Sequence, residues 1–176
     1  MKCVRTYNFE KTCGYNKLFF LSMLTTMLVF LLAFSSMQSY YSKPLHANGF
    51  FWFAAGILAV YPLHKLVHLF SILTYHPKMK WDRKYFVLPV LTVITRNPMP
   101  KKRFLVCLSL PFFIITPLML GGAVAMPEYL HYFTMAAAFH TGICLFDFLY
   151  IKALLACPKD ALIEEDSDGF EVLLPE

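Results

Sequence analysis

The chain has 176 residues, of which 58% are hydrophobic, 17% aromatic and 15% charged, a balance too apolar for an ordinary soluble domain. Its net charge of +5 comes from bases that flank apolar segments instead of lining a folded soluble face. That placement excludes nucleic acid as a partner and points to membrane topology and anionic headgroups.

A helix that crosses a bilayer needs about 20 mostly apolar residues. Four segments qualify, 18–37, 50–75, 104–126 and 129–157. The expected fold is an all-α polytopic membrane protein: four transmembrane helices in a single membrane domain, with small cytoplasmic β-hairpin elements. The first apolar run is longer than the roughly 7–15 residues of a signal-peptide core. Gln38-Ser39-Tyr40-Tyr41 follows it where a cleavage site would carry small residues, so a retained helix is expected. Five cysteines without a Cys-x-x-Cys pair make no disulfide framework and read as reduced, small apolar residues.

Between the second and third spans, the 76–103 loop holds Lys84-Tyr85-Phe86-Val87-Leu88-Pro89-Val90-Leu91-Thr92-Val93-Ile94, rich in β-branched and aromatic residues. Pro89 cannot donate to a ladder, which argues for an edge strand or a hairpin against the inner membrane face. The stretch ends at the turn-like Arg96-Asn97-Pro98-Met99-Pro100. In the 158–176 tail, Ala161-Leu162-Ile163 and Phe170-Glu171-Val172-Leu173-Leu174 flank an acidic Glu164–Gly169 segment. That pattern predicts a hairpin too small to stand alone. The basic 76–103 loop, of opposite charge, is its expected dock. Lys2, Arg5, Lys11 and Lys17 precede the first span, and eight bases lie between Lys78 and Arg103. The bias of bases toward the cytoplasm then puts both termini and this loop inside a multi-pass cell-membrane protein.

Two of the spans carry ionisable groups near mid-depth. His64 and His68 lie four apart, hence on one helix face about one turn from each other, the spacing of a pair of imidazole metal ligands. At about 1.5 Å rise per residue they lie about 16 Å and 10 Å from the inner end of the second span, and Asp147 about 15 Å from the inner end of the fourth. Two histidines and a carboxylate with an open fourth position form the pattern of a catalytic zinc site. His140, seven residues before Asp147, falls on nearly the same face about 10 Å further out, as an outer-shell group or part of an access path. His131 is off that face. Pro62 in the second span, and Pro111, Pro117 and Gly121-Gly122 in the third, predict bends in those helices.

A zinc peptidase has a glutamate directly after the first histidine, to take a proton from metal-bound water. Here that residue is Lys65. A buried lysine costs about 2.5–3.5 kcal/mol on insertion scales, and Asp147 is its natural partner. Two arrangements therefore stand side by side: zinc held by His64, His68 and Asp147, or a metal-free polar cluster with a Lys65–Asp147 ion pair.

The His64…His68 helix, the Pro98-Met99-Pro100-Lys101-Lys102-Arg103-Phe104 entry to a proline-containing helix, Asp147 and the Pro158–Asp166 tail together resemble a family of membrane zincin peptidases without an assigned physiological role, related in architecture to site-2 proteases. The resemblance spans roughly residues 50–176. It implies that His64, His68 and Asp147 are zinc ligands and that Lys65 stands where the catalytic glutamate belongs. The implied function is a zincin-like fold, proteolytically inactive, that binds a membrane-embedded client or partner helix. The alternative is an active intramembrane zinc metallopeptidase with a non-standard general base, His140 through water or Lys65 itself.

Overall fold

The computed structural model describes residues 2–8, 12–75, 78–82, 90–94, 97–166 and 169–174. In chain order the elements are β1 (Lys2–Tyr7), α1 (Tyr15–Tyr41), α2 (Phe50–Ser71), β2 (Lys78–Asp82), β3 (Val90–Ile94), β4 (Met99–Pro100), α3 (Lys101–Ala125), α4 (Leu130–Ile143), α5 (Leu145–Leu155), β5 (Leu162–Asp166) and β6 (Gly169–Leu174). The architecture is mostly helical with small antiparallel β elements, as the apolar runs predict. Helices α1, α2 and α3 are each long and apolar enough to cross a membrane. A fourth span results if α4, with the short turn before it, and α5 count as one bent helix. Phe20 and Leu32 on α1 are 67% and 69% exposed, and Leu58 on α2 is 79% exposed. Aliphatic and aromatic surface on that scale is what lipid covers.

The chain divides into two compact units, one of Met1–Tyr15, Lys65–Leu110 and Phe148–Glu176, the other of Asn16–His64 and Pro111–Asp147.

The first unit contains the sheets. The tail hairpin forms as expected, with Leu162 opposite Leu173, Ile163 opposite Val172 and Asp166 opposite Gly169. Its dock is a backbone ladder on both flanks, giving the strand order β1-β6-β5-β4. β4 is the end of the 76–103 loop, with Met99 opposite Ile163. β1 lies on the other side, with Tyr7 opposite Phe170, a strand that the polar, mixed N-terminal sequence does not disclose. Burial holds the sheet in place. Met99, Ile163, Phe170 and Val172 are buried with Phe104 of α3 and Leu154 of α5, and the Phe170 ring lies 5.1 Å from Tyr7 and 5.3 Å from Tyr150. Gly169 is required here, because a Cβ would run into the carbonyl oxygen of Tyr7. A separate β2–β3 pair joins Lys80 to Thr92. The expected strand from Lys84 is described only from Val90 onward; residues 83–89, Pro89 among them, lie outside the described residues.

Lys101 is one of the bases that the sequence assigns to topology, yet it is buried. Its Nζ donates to the Cys157 carbonyl at 2.6 Å, beyond the end of α5, while its amide donates to the Ala161 carbonyl at 3.0 Å. A cation at a helix C-terminus meets the negative end of the backbone dipoles. Lys101→Ala is therefore expected to lower stability by about 1.5–3 kcal/mol, the worth of a charged hydrogen bond. Thermal unfolding in detergent measures the loss, and an unchanged midpoint would contradict the capping role.

The second unit is built on close helix approach. Ser22 Oγ of α1 donates to the Gly142 carbonyl of α4 at 2.8 Å. A Cβ at Gly142 would collide with Thr26 Oγ1 and press on the Ser22 carbonyl. Small residues at helix crossings let backbones meet in this way. The link before α2 is tied to the start of α4: the His46 amide donates to the Glu128 carbonyl at 2.9 Å, and Tyr132 Oη to the Ala47 carbonyl at 2.9 Å.

Helix assignment continues through Pro62 in α2 and through Pro111 and Pro117 in α3. The interruption comes elsewhere. The expected fourth span breaks at Cys144, with 41° between its two parts and no proline nearby. A side-chain hydroxyl that engages a ladder carbonyl is a recognised cause of such breaks, and the Ser22–Gly142 bond sits two residues before this one.

Candidate metal centre

Five side chains of the second unit converge on one buried point. His64 ends that unit's part of α2, Thr116 lies mid-way along α3, His140 is in the last turn of α4, Cys144 is the break residue, and Asp147 is in the first turn of α5. His140 and Cys144 are fully buried, His64 is 2% exposed and Asp147 8% exposed. The break at Cys144 matters here, because it starts a new helix and sets the Asp147 carboxylate in its first turn, where the backbone dipoles favour negative charge.

The His64 ring is used on both edges. Its Nε2 is 3.4 Å from Asp147 Oδ2, and its Nδ1 is 3.3 Å from His140 Nε2. The other nitrogen of His140, Nδ1, is 2.9 Å from Thr116 Oγ1. Cys144 Sγ lies 3.6 Å from His140 Nε2 and 3.8 Å from His64 Nδ1. A run of contacts thus extends from Thr116 through His140 and His64 to Asp147, with the thiol beside the two imidazoles.

His64 and Asp147 meet directly. His140, placed by helix arithmetic well outward of Asp147, touches the His64 ring. His68 follows one turn after His64 on α2, half-buried, and Lys65 is also half-buried; both belong to the first unit. His131 packs on Tyr132, with ring centroids 3.9 Å apart, and takes no part in the cluster. Cys144 and Thr116 are additions. Cys144 had a signal, since His140 and Cys144 are four apart on one helix, the same spacing that singles out His64 and His68. Nothing local marks Thr116.

The donor chemistry fits zinc. Imidazole nitrogens and carboxylate oxygens bind zinc at about 2.0–2.2 Å, so two such donors on a tetrahedron stand about 3.3–3.5 Å apart. The His64–Asp147 separation of 3.4 Å is of that size. His64, His140 and Cys144 also place one potential ligand atom each within 4.8 Å of the others.

A sequence model of the family described as putative zincin peptidase matches residues 57–162, more than half of the chain. The matched stretch contains every residue of the cluster. No curated protein and no solved structure gives a significant match.

Proposed function

Because the chain belongs to the family of putative zincin peptidases, we propose that it keeps the zincin frame within a membrane and has exchanged peptide cleavage for binding a membrane-embedded partner helix. The observation that carries this reading is Lys65, directly after His64 at the place of the zincin glutamate. An ammonium group has no lone pair with which to take a proton from water. His140 is a poor substitute base, because its two ring nitrogens already face His64 and Thr116.

His64, His68 and Asp147 are the residues that would hold zinc in this frame. Bound there, zinc would supply Lewis-acid polarisation of a water or carbonyl oxygen. The chain's own residues orient the site: His140 Nε2, 3.3 Å from His64 Nδ1, holds the edge of the His64 ring turned away from Asp147, a support that fixes a ligand's tautomer and position. With cleavage lost, the apolar surfaces of the membrane helices remain able to hold a partner helix by side-chain packing.

Zinc-supplemented protein in detergent is expected to leave a panel of transmembrane peptides uncleaved. Cleavage that chelator or His64→Ala abolishes would establish the active alternative instead. Discrete protein cross-links from photoreactive residues placed along α2 support partner binding, whereas lipid adducts alone count against it.

The orientation proposed with this function has the N-terminus, the 76–103 loop and the C-terminus in the cytoplasm. Cys3 and Cys13 are exposed, so a membrane-impermeant maleimide is expected to label them only after permeabilisation. Labelling in intact cells would invert the topology.

A further inference from the structure

The two edges of His64 differ in what they face, and the edge turned away from Asp147 has the makings of a site of its own. There His64 Nδ1, His140 Nε2 and Cys144 Sγ are separated by 3.3, 3.6 and 3.8 Å. With zinc bonds of about 2.0–2.1 Å to nitrogen and about 2.3 Å to sulfur, the edges of a tetrahedral face measure about 3.3 Å for N–N and about 3.6 Å for N–S. The three atoms match such a face to within about 0.3 Å on every edge. All three residues are buried. The α4–α5 break places the thiol, and neither Lys65 nor a glutamate supplies a ligand.

We propose that His64 Nδ1, His140 Nε2 and Cys144 Sγ form a thiolate-containing zinc site, distinct from the His64–His68–Asp147 frame and sharing only His64 with it. The proton positions follow. With metal on Nδ1, the His64 ring proton is on Nε2 and faces the Asp147 carboxylate, 3.4 Å from Oδ2. With metal on Nε2, the His140 ring proton is on Nδ1 and is donated to Thr116 Oγ1. His140 thereby gains the outer hydrogen-bond partner that metal-bound histidines almost always have, and His64 turns its outer N–H toward a carboxylate. The thiol releases its proton as the ion binds. The dication, the thiolate and the Asp147 carboxylate then sum to zero charge, which is the balance a buried membrane site needs. Sulfur also shifts preference toward softer cations and away from magnesium or calcium. One ion uses one edge of His64 at a time, so occupancy here leaves the zincin frame without its first histidine and removes peptidase chemistry by a second route.

The test uses the full chain in detergent, stripped with chelator and titrated with cobalt(II), in a Cys3→Ser/Cys13→Ser background that removes the exposed thiols. One equivalent of cobalt is expected to produce tetrahedral visible bands together with a near-ultraviolet sulfur-to-cobalt band, all displaced by zinc. Cys144→Ser should abolish the sulfur band, and His68→Ala should retain it. A missing sulfur band, or one that survives Cys144→Ser, overturns the proposal. Tetrahedral bands lost in His68→Ala and kept in Cys144→Ser place the ion in the zincin frame, which overturns this site while supporting that one. Zinc-edge X-ray absorption of the protein with Cys144 intact needs no variant at the site. One sulfur at about 2.3 Å beside nitrogen neighbours is expected, and a shell without sulfur refutes the assignment.

Discussion

Lys65→Glu is expected to raise zinc affinity by at least a hundredfold. The residue adjoins His64 on α2, so its charge lies on the order of 10 Å from an ion held by that imidazole. At an effective dielectric of about 20, a unit charge at that distance alters the energy of a dication by about 3 kcal/mol. Removing the ammonium and adding a carboxylate contribute with the same sign. Lys65→Gln should therefore fall between the native protein and Lys65→Glu, separating relief of repulsion from the gain of an acid. Competition with a chelating dye, read alongside metal content after gel filtration, follows the series. A Lys65→Glu protein that folds and still takes up no zinc would mean that the ligand frame itself has decayed, leaving the family resemblance as ancestry.

Gly142→Leu is expected to cost about 3 kcal/mol or more, enough to abolish a folded monodisperse peak on size exclusion. Overpacking a close-packed interior costs about 1–3 kcal/mol when neighbours can shift. At Gly142 the first new atom already meets Thr26 Oγ1 and the Ser22 backbone. The same substitution also disturbs the Ser22–Gly142 hydrogen bond at the α4–α5 break, two residues from His140 and Cys144. Gly56 is the control. A Cβ there meets nothing within 4 Å, so Gly56→Ala should leave the unfolding midpoint unchanged or raise it slightly, in line with helix propensity. Equal tolerance of both changes would show that α1 and α4 do not pack through Gly142.

Much of the architecture is legible in the chain because hydropathy and turn chemistry act locally. The apolar runs at 18–37, 50–75 and 104–126 correspond to α1, α2 and α3, and the Leu162–Asp166 and Gly169–Leu174 strands follow from alternation around an acidic turn. Pro62, Pro111 and Pro117 all stand inside helices that continue through them. In a membrane helix the lost amide bond need not end the element, because neighbouring groups can satisfy the carbonyl it leaves. β1 is not legible in the sequence for a different reason. Lys2–Tyr7 has no strong period of its own, and its pairing with β6 comes from the far end of the chain.

What the sequence alone determined is the set of helices long and apolar enough to cross a membrane, the helical frame and the i,i+4 spacing of His64 and His68, all properties of one segment at a time. The His64–Asp147 encounter was foreseeable as a match of depth, because both positions count from span ends. The tertiary structure alone decided that the fourth segment breaks at Cys144, that His140 reaches His64, and that Cys144 and Thr116 join them. Each of these depends on contacts between segments far apart in sequence, such as the hydroxyl of Ser22 on the Gly142 carbonyl. Helix arithmetic assumes an unbroken rod, and the 41° bend at Cys144 removes that assumption for the fourth segment.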